Sequence, residues 1–322
     1  MKLYTVADEK RTLVCRETAP GTLQVLPYAT MNDLLTDDPA HRETILARQT
    51  GETLALAEVR VLAPIPAPRQ DVICLGMNYQ KHKTEAEQFN ADAFTREKGS
   101  AVYFSKRATH CPGPGDPIPG HFDLVDSLDY ETELAVVLGK DAKHVREEDA
   151  YDYVFGYTIV NDVSARNLQT GHKQWYFGKG LDGFTPMGPC LVTRDEFSQP
   201  PAQAIRTWIN GELRQDAVTD ELIFSIAHVI AELSQGMTLQ AGTIIATGTP
   251  AGVGMGFDPP KFLKAGDVVR SEIAGIGVLE NTVESLFSTR GPPRRLEQKP
   301  GGGAVLRLEK RNFKKFLQGS LS

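Results

Sequence analysis

Cysteine is scarce in this 322-residue sequence, and its four cysteines lie far apart. Cys15, Cys74, Cys111 and Cys190 form no Cys-x-x-Cys pair, which argues against a structural zinc site and a disulfide-rich scaffold. Long apolar runs are lacking too, since none approaches the roughly 20 residues of a membrane span. Acidic residues stand near the N-terminus, where a secretory signal needs an apolar core. We therefore expect a soluble cytoplasmic protein without a membrane partner.

Positive charge is not in excess either, because 35 Lys and Arg face 41 Asp and Glu, for a formal net charge of -6. A protein that binds nucleic acid by neutralising phosphates needs the opposite balance, so we expect no nucleic-acid partner. The exception is local. Residues 288–322 are rich in Lys, Arg, Gly and Pro, which predicts a flexible basic tail or a weak helix that contacts an acidic partner.

Proline divides the rest of the chain. Residues 1–62 have the pattern of short strands and one helix, and the alternating prolines at 64, 66 and 68 cannot continue either element. We predict a small N-terminal domain over residues 1–62, a proline-rich linker over 63–70, a main domain over 71–287 and the basic tail over 288–322.

Short apolar runs bounded by Gly, Pro or Asp dominate the main domain, and those at residues 72–75, 134–138 and 243–246 predict buried strands. Asn210-Gly211 lies between extended flanks and predicts a tight hairpin. Helices are few, and the clearest is predicted over residues 221–234, with a cap at Thr219 or Asp220 and an end at Gly236. This order favours a mainly β, sandwiched or closed architecture over a doubly wound α/β fold.

Acidic residues alternate with others at the start of one predicted strand. Asp129, Glu131 and Glu133 lead into the apolar run at residues 134–138, and the two-residue period of a strand points all three to one face. Unpaired carboxylates in a core cost several kcal/mol each, so a bound cation is one explanation. A solvated strand edge is the other, and spacing leaves both open.

Asp162 offers a further carboxylate, because it follows an apolar strand that ends in Asn161. A site made only of carboxylate oxygens favours Mg²⁺ or Mn²⁺ over zinc, and it leaves positions for water and a bidentate substrate.

Several blocks of residues resemble the fumarylacetoacetate hydrolase family, and the resemblance covers roughly residues 71–286. The blocks lie at residues 76–85, 129–138, 161–169, 174–184 and 247–254, with the shorter stretches 266–267 and 279–281. They occur in the family's order. The resemblance implies a mixed β-sandwich roll, Mg²⁺ or Mn²⁺ held by Glu131, Glu133 and Asp162, a homodimer, and substrates with a 2-oxo acid or 1,3-dicarbonyl unit.

His82 and Glu85 are the candidate general base and its partner. They are three residues apart, so on a helix they share a face and the carboxylate can orient the imidazole ring. A surface histidine with a chance acidic neighbour has the same spacing. The resemblance places the pair on a lid that orders over the ligand and activates water.

Four other residues complete the predicted site. Lys179 lies among glycines, where a cation can approach a ligand and stabilise an enolate. A surface lysine and a structural role for Arg166 are the alternatives. By resemblance Arg166 and Gln169 position the substrate, and Thr249 follows a strand where its hydroxyl and backbone donors can meet a carboxylate.

The implied activity is Mg²⁺- or Mn²⁺-dependent hydrolysis of a carbon-carbon bond in an acylpyruvate or related acid, with pyruvate enolate as the leaving group. Oxaloacetate decarboxylation, and a lyase or hydratase reaction on a 2-keto-3-deoxy acid, would use the same residues. A non-catalytic metabolite-binding domain is the alternative from another class, and it predicts missing ligands or a missing lid pair.

Overall fold

The computed structural model describes residues 1–48, 51–95 and 99–285. The predicted basic tail over residues 288–322 lies outside them. Within the described ranges, strands outnumber helices, and short 3₁₀ helices occur at Leu56–Glu58, Glu147–Tyr153, Arg194–Glu196 and Gly254–Gly256.

A large sheet of eleven strands forms the centre of the fold. In spatial order its strands are β4 (Thr53–Ala55), β3 (Thr22–Val25), β2 (Thr12–Ala19), β1 (Lys2–Ala7), β13 (Met187–Thr193), β11 (Val154–Asn161), β10 (Thr132–Leu138), β16 (Ile244–Ala246), β6 (Val72–Gly76) and β7 (Val102–Lys106), and β5 (Arg60–Val61) also pairs with β1. Neighbouring strands are antiparallel except β16 and β6. The three strands predicted from apolar runs are confirmed as β6, β10 and β16.

A second sheet of five strands packs beside the first. Its strands, in spatial order, are β15 (Glu212–Val218), β14 (Ala204–Ile209), β17 (Val268–Ile273), β18 (Gly277–Glu284) and β8 (Ile118–Pro119), and a separate pair joins β9 (Leu128–Asp129) to β12 (Ser164–Ala165). Asn210 and Gly211 connect β14 to β15 with φ angles of 51° and 83°. The predicted hairpin is confirmed, because its tight turn needs positive φ at both central positions.

The two sheets share a hydrophobic core. Leu134 and Tyr157 of the large sheet join one cluster with Ile205 and Ile273 of the second sheet. Ala135 and Val137 of β10 face the opposite way, toward the helices α1 (Met31–Thr36) and α2 (Pro39–Ala47). β10 is therefore buried on both faces, and the expectation of a mainly β, sandwiched fold is confirmed.

The N-terminal strands extend the large sheet. Lys2 and Leu3 of β1 lie opposite Val192 and Leu191 of β13 in antiparallel register. This pairing places residues 1–62 and the predicted main domain in one sheet. The proposed boundaries at residues 62 and 70 stay predictions.

Five further helices surround the sheets: α3 (Gln80–Phe89), α4 (Ala91–Phe94), α5 (Arg166–Gly171), α6 (Tyr176–Lys179) and α7 (Ile226–Gly236). Among the described residues, no helix has the length and apolar character needed to cross a bilayer.

The start predicted for α7 was wrong by about one turn. Ser225 is the N-cap, and its hydroxyl accepts a hydrogen bond from the backbone N–H of His228. The preceding residues are held outside the helix, because the backbone N–H groups of Ile223 and Phe224 donate to the main-chain and side-chain oxygens of Asn78, both at 2.8 Å. A distant side chain thus overrides the local helical pattern.

Candidate metal centre and active site

Three acidic side chains converge where β10 begins and β11 ends. One carboxylate oxygen from each of Glu131, Glu133 and Asp162 lies within 4.8 Å of the other two. Glu131 is 4% exposed, and the other two are fully buried. The fold thus brings the three predicted ligands together, and their burial rules out a solvated strand edge.

Strand pairing explains this convergence. β10 and β11 are antiparallel, and Thr132 lies opposite Asn161. The residue before β10 is therefore beside the residue after β11, and the backbone N–H of Asp162 donates to the carbonyl of Glu131 at 2.8 Å. Glu133 lies two residues beyond Glu131, so the period of the strand turns it to the same side.

Asp129 does not join this cluster, and the prediction of one continuous acidic strand was wrong there. β9 ends at Asp129 and pairs with β12, which interrupts the alternation before β10. The Asp129 carboxylate instead accepts hydrogen bonds from Nε of Arg166 (2.9 Å) and from the backbone N–H groups of Gly254 (2.6 Å) and Met255 (3.0 Å). It anchors Arg166 and the loop after β16.

Buried cations surround the carboxylates. Lys179 Nζ donates to Oε2 of Glu131 and to Oδ2 of Asp162, both at 2.8 Å. Nη1 of Arg166 lies 2.7 Å from Oε1 of Glu131. Lys106 forms an ion pair with Oδ1 of Asp162. Lys179 and Arg166 are 2% and 1% exposed, so neither is a surface residue.

Lys106 was not singled out from the sequence. It ends β7 with a fully buried side chain, and its Nζ also donates to the carbonyl of Val163 at 2.9 Å. A lysine at the end of a largely apolar run was the available signal. Its partner, Asp162, is 56 positions later, so local spacing could not reveal the pair.

Neighbouring carboxyls in the cluster have opposite pKa shifts. Burial, together with the negative charges of Asp162 and Glu131, raises the pKa of Glu133 well above its ordinary value. Burial would also raise the pKa of Glu131, but the positive charges of Lys179 and Arg166 outweigh it and lower that pKa. Glu131 is thus held ionised, whereas Glu133 holds a proton over a wider pH range.

The donor set fits a hard divalent cation. Glu133 Oε2 accepts the backbone N–H of Gly248 at 2.8 Å, but Oε1 is buried without a hydrogen-bond partner among the described residues. With Asp129 included, four buried carboxylates face the three cations Lys106, Arg166 and Lys179. Mg²⁺ and Mn²⁺ prefer carboxylate oxygens, and either would add the missing positive charge.

His82 and Glu85 lie on one face of α3, as expected for a helix. His82 is 4% exposed, and its Nδ1 is 3.6 Å from Oε2 of Glu85. The Glu85 carboxylate accepts the backbone N–H of Gly252 at 2.9 and 3.1 Å. His82 Nδ1 has no hydrogen-bond partner in the part of the chain that the structure describes. A buried imidazole with a free nitrogen is available for proton transfer.

Arg166 and Gln169 contact each other on α5, with Nη1 of Arg166 donating to Oε1 of Gln169 at 3.0 Å. Nη2 of Arg166 is buried and unpartnered within the described ranges. The hydroxyl of Thr249 donates to the carbonyl of Thr132 (2.9 Å) and accepts from Nε2 of Gln215 (2.7 Å). The hydroxyl proton of Thr249 is therefore used inside the protein and is not available to a ligand.

One narrow cavity of about 10 Å³ joins most of these groups. Its lining includes His82, Glu131, Arg166, Gln169, Lys179 and Thr249. Larger cavities of about 300 and 500 Å³ have linings that contain none of these residues. The chemistry-bearing side chains are thus gathered at a cavity much smaller than these two.

A family model described as the fumarylacetoacetate (FAA) hydrolase C-terminal domain matches residues 71–284. The chain belongs to the fumarylacetoacetate hydrolase family. The resemblance found in the sequence blocks is confirmed, and the family to which the chain belongs is one of enzymes.

Relatives of the chain carry several activities. The oxaloacetate tautomerase YisK of Bacillus subtilis is 48% identical over 229 residues, which cover 71% of this chain and 74% of the relative. A fumarylacetoacetate hydrolase from Exiguobacterium antarcticum is 38% identical with a TM-score of 0.76, covering 88% of this chain and 99% of that one. Maleylpyruvate hydrolase from Sphingobium sp. SYK-6, solved with manganese(II) and pyruvate, is 30% identical with a TM-score of 0.71, at 88% and 99% coverage.

Replacing Lys106 tests the charge balance. In Lys106→Met the Asp162 carboxylate loses a buried counter-charge, so the free energy of unfolding of the metal-free protein should fall by about 3–5 kcal/mol. Added Mg²⁺ or Mn²⁺ should restore more stability to this variant than to the wild type. Urea denaturation with EDTA, and then with metal, measures both effects.

Arg107→Met is the matched control, because Arg107 is the next residue and its exposed side chain pairs with Asp71 at 3.5 Å. Its unfolding free energy should stay within about 1 kcal/mol of the wild type. Equal stability of the Lys106 and Arg107 variants would contradict the role given to Lys106.

The raised pKa of Glu133 predicts that metal binding depends on pH. The proton on Glu133 competes with the cation, so Mg²⁺ or Mn²⁺ affinity should rise with pH above the ordinary carboxyl pKa, and binding should release a proton. The pKa of Glu133 is higher in the folded than in the unfolded state. Its contribution to the stability of the metal-free protein should therefore fall as pH rises from the ordinary carboxyl pKa through the folded-state pKa. Calorimetry in two buffers with different ionisation enthalpies measures the proton, and a buffer-independent heat would refute this prediction.

Proposed function

We propose that the chain catalyses enol–keto tautomerisation of a small 2-oxo dicarboxylic acid such as oxaloacetate. The observation that carries this proposal is a single cavity lined by His82 and Arg166, each with an unpartnered buried nitrogen, beside the acidic cluster. Nδ1 of His82 suits proton transfer, and Nη2 of Arg166 suits a hydrogen bond to a substrate carboxylate. The 48% identity to an oxaloacetate tautomerase supports the same reaction.

Glu131, Glu133 and Asp162 would hold Mg²⁺ or Mn²⁺. A bound divalent cation would act as a Lewis acid toward the 2-oxo and carboxylate oxygens of the substrate. With Glu133 ionised, the four carboxylates and three cations of the protein leave one excess negative charge, and a divalent ion would turn this into one excess positive charge. A site of that charge favours an anionic substrate.

The side chains divide the remaining work. Nη2 of Arg166 points its free donor at a substrate carboxylate, while Nη1 stays on Glu131 and Gln169. Lys179 places positive charge where the 2-oxo oxygen becomes negative. His82 takes or returns the proton at the carbon next to the carbonyl. One proton moves between carbon and oxygen, and no carbon-carbon bond breaks.

Hydrolysis of an acylpyruvate, the reaction expected from the sequence, is the second candidate. The 3.6 Å gap between His82 and Glu85 supports it, because a pair so arranged can activate a water molecule. The structural neighbour from Sphingobium is a maleylpyruvate hydrolase. Oxaloacetate decarboxylation and reactions of 2-keto-3-deoxy acids would use the same groups. The clustered ligands and the lid pair argue against a non-catalytic binding domain.

Substituting His82 tests the proposal. In His82→Ala the proton at carbon loses its acceptor, so kcat for oxaloacetate tautomerisation should fall at least about 100-fold. The decay of enol absorbance with Mg²⁺, Mn²⁺ or EDTA measures the rate. His228→Ala is the control, because its side chain is 40% exposed and lies outside the cavity lining. Unchanged turnover in His82→Ala would remove His82 from the mechanism.

Product analysis separates the candidate reactions. Tautomerisation leaves the oxaloacetate concentration unchanged, decarboxylation yields pyruvate and carbon dioxide, and hydrolysis of an acylpyruvate yields pyruvate and a second carboxylic acid. A panel of oxaloacetate, acylpyruvates and 2-keto-3-deoxy acids assigns the reaction by the fastest turnover. Cleavage of acylpyruvates without tautomerisation of oxaloacetate would replace the first proposal with the second.

We also propose that two copies of the chain form a homodimer. Tyr176 and Phe177 on α6, and Phe122 and Leu124 in a loop, expose 39–45% of their surface, and apolar groups of this kind favour association. Light scattering should give the mass of two chains, and Phe177→Ser should shift the protein toward one chain. A mass of one chain for the wild type at all concentrations would exclude the homodimer.

A further inference from the structure

Part of the lining of the active-site cavity is an apolar wall. Its residues are Leu75, Met77, Phe94, Phe104, Trp175 and Met255, and they line the same cavity as the charged residues that would hold the 2-oxo acid. A substrate bound by its 2-oxo and carboxylate oxygens to those charged residues would bring the rest of its chain against this wall. The shape of the wall therefore bears on which substrates fit.

Phe94 contributes to this wall from the segment that also carries His82. Asn90 caps α4 by accepting a hydrogen bond from the backbone N–H of Ala93 at 3.1 Å, and the helix ends at Phe94. The Phe94 side chain is 2% exposed. Its ring packs on Trp175, with 5.5 Å between centroids and an interplanar angle of 52°.

Trp175 cannot retreat from Phe94. Its indole packs edge-on against Phe104, with centroids 5.4 Å apart. Behind it lies Gly76, where even a Cβ atom would fall 2.3 Å from the indole. The free space beside this wall thus depends on the ring of Phe94, and the cavity that remains, about 10 Å³, has room for about one water-sized sphere.

We propose that Phe94 is a specificity-determining residue that limits the size of the group beyond the 2-oxo carbon. A short 2-oxo acid needs little of the space that the ring takes, whereas an acid with a bulky acyl or aryl group meets the ring. The inference rests on the proposed function, because it takes a 2-oxo acid as the ligand. It holds equally for tautomerisation and hydrolysis, since it concerns size and not chemistry.

Binding of two non-reacting probes tests this proposal without turnover. Oxalate and N-benzyloxamate present similar oxygens, but only the second carries a bulky group. In calorimetry on the Mn²⁺-loaded wild-type protein, N-benzyloxamate should bind at least about 10-fold more weakly than oxalate. Phe94→Ala should tighten N-benzyloxamate by about 10-fold or more and change oxalate little, and Phe94→Leu should lie between.

Phe89→Ala is the matched control. Phe89 is on α3, packs against Phe262 with centroids 6.3 Å apart, and is absent from the cavity lining. It should keep the wild-type ratio of the two affinities. If Phe94→Ala does not fold, Phe94→Leu decides, because it removes the ring but keeps an apolar side chain.

The outcomes separate this inference from the proposed function. The role of Phe94 would be overturned if the folded Phe94 variants kept the wild-type ratio of the two probe affinities. It would also be overturned if Phe89→Ala changed that ratio as much as the Phe94 variants do. If the variants lose discrimination but the wild type turns over no 2-oxo acid, the size limit stands and the proposed function fails. Failure of the wild type to bind oxalate would overturn both.

Discussion

Compensation of buried charge is the constraint on which the site depends. Four carboxylates without water around them would each cost several kcal/mol if left unpaired. The fold offsets this cost with Lys106 from β7, Arg166 from α5 and Lys179 from α6. The ion pairs tie segments that are distant in sequence to the start of β10. Because one negative charge remains once Glu133 loses its proton, the same arrangement that stabilises the fold also suits a cation.

Much of the site could be predicted from the sequence because its determinants are local. The two-residue period placed Glu131 and Glu133 on one side, and a strand ending in Asn161 placed Asp162 at an edge. Helical spacing put His82 beside Glu85, and the structure has both on α3. The mainly β fold followed from short apolar runs, since their length and their bounding residues suit strands better than helices.

The remaining features depend on contacts between distant residues, which local patterns do not contain. Lys106 has no sequence neighbour that signals its role, because its partner is Asp162. The helix predicted from residue 221 begins later, since the backbone N–H groups of Ile223 and Phe224 are bonded to Asn78 instead. Asp129 fits the alternating pattern but leaves it, because Arg166 and two backbone N–H groups offer it better partners. In each case tertiary hydrogen bonding outweighs the local preference.

The position of β10 has a consequence for how the proposed metal would be acquired. Every residue of this strand is buried, and it lies between β11 and β16 with a core on each face. Strands of this kind exchange their amide hydrogens only when the whole domain unfolds. The backbone that carries the carboxylates is therefore held by the fold itself, so they would stay close together before a cation binds. Removal of the proposed cation by a chelator would then leave a folded protein ready to be reloaded.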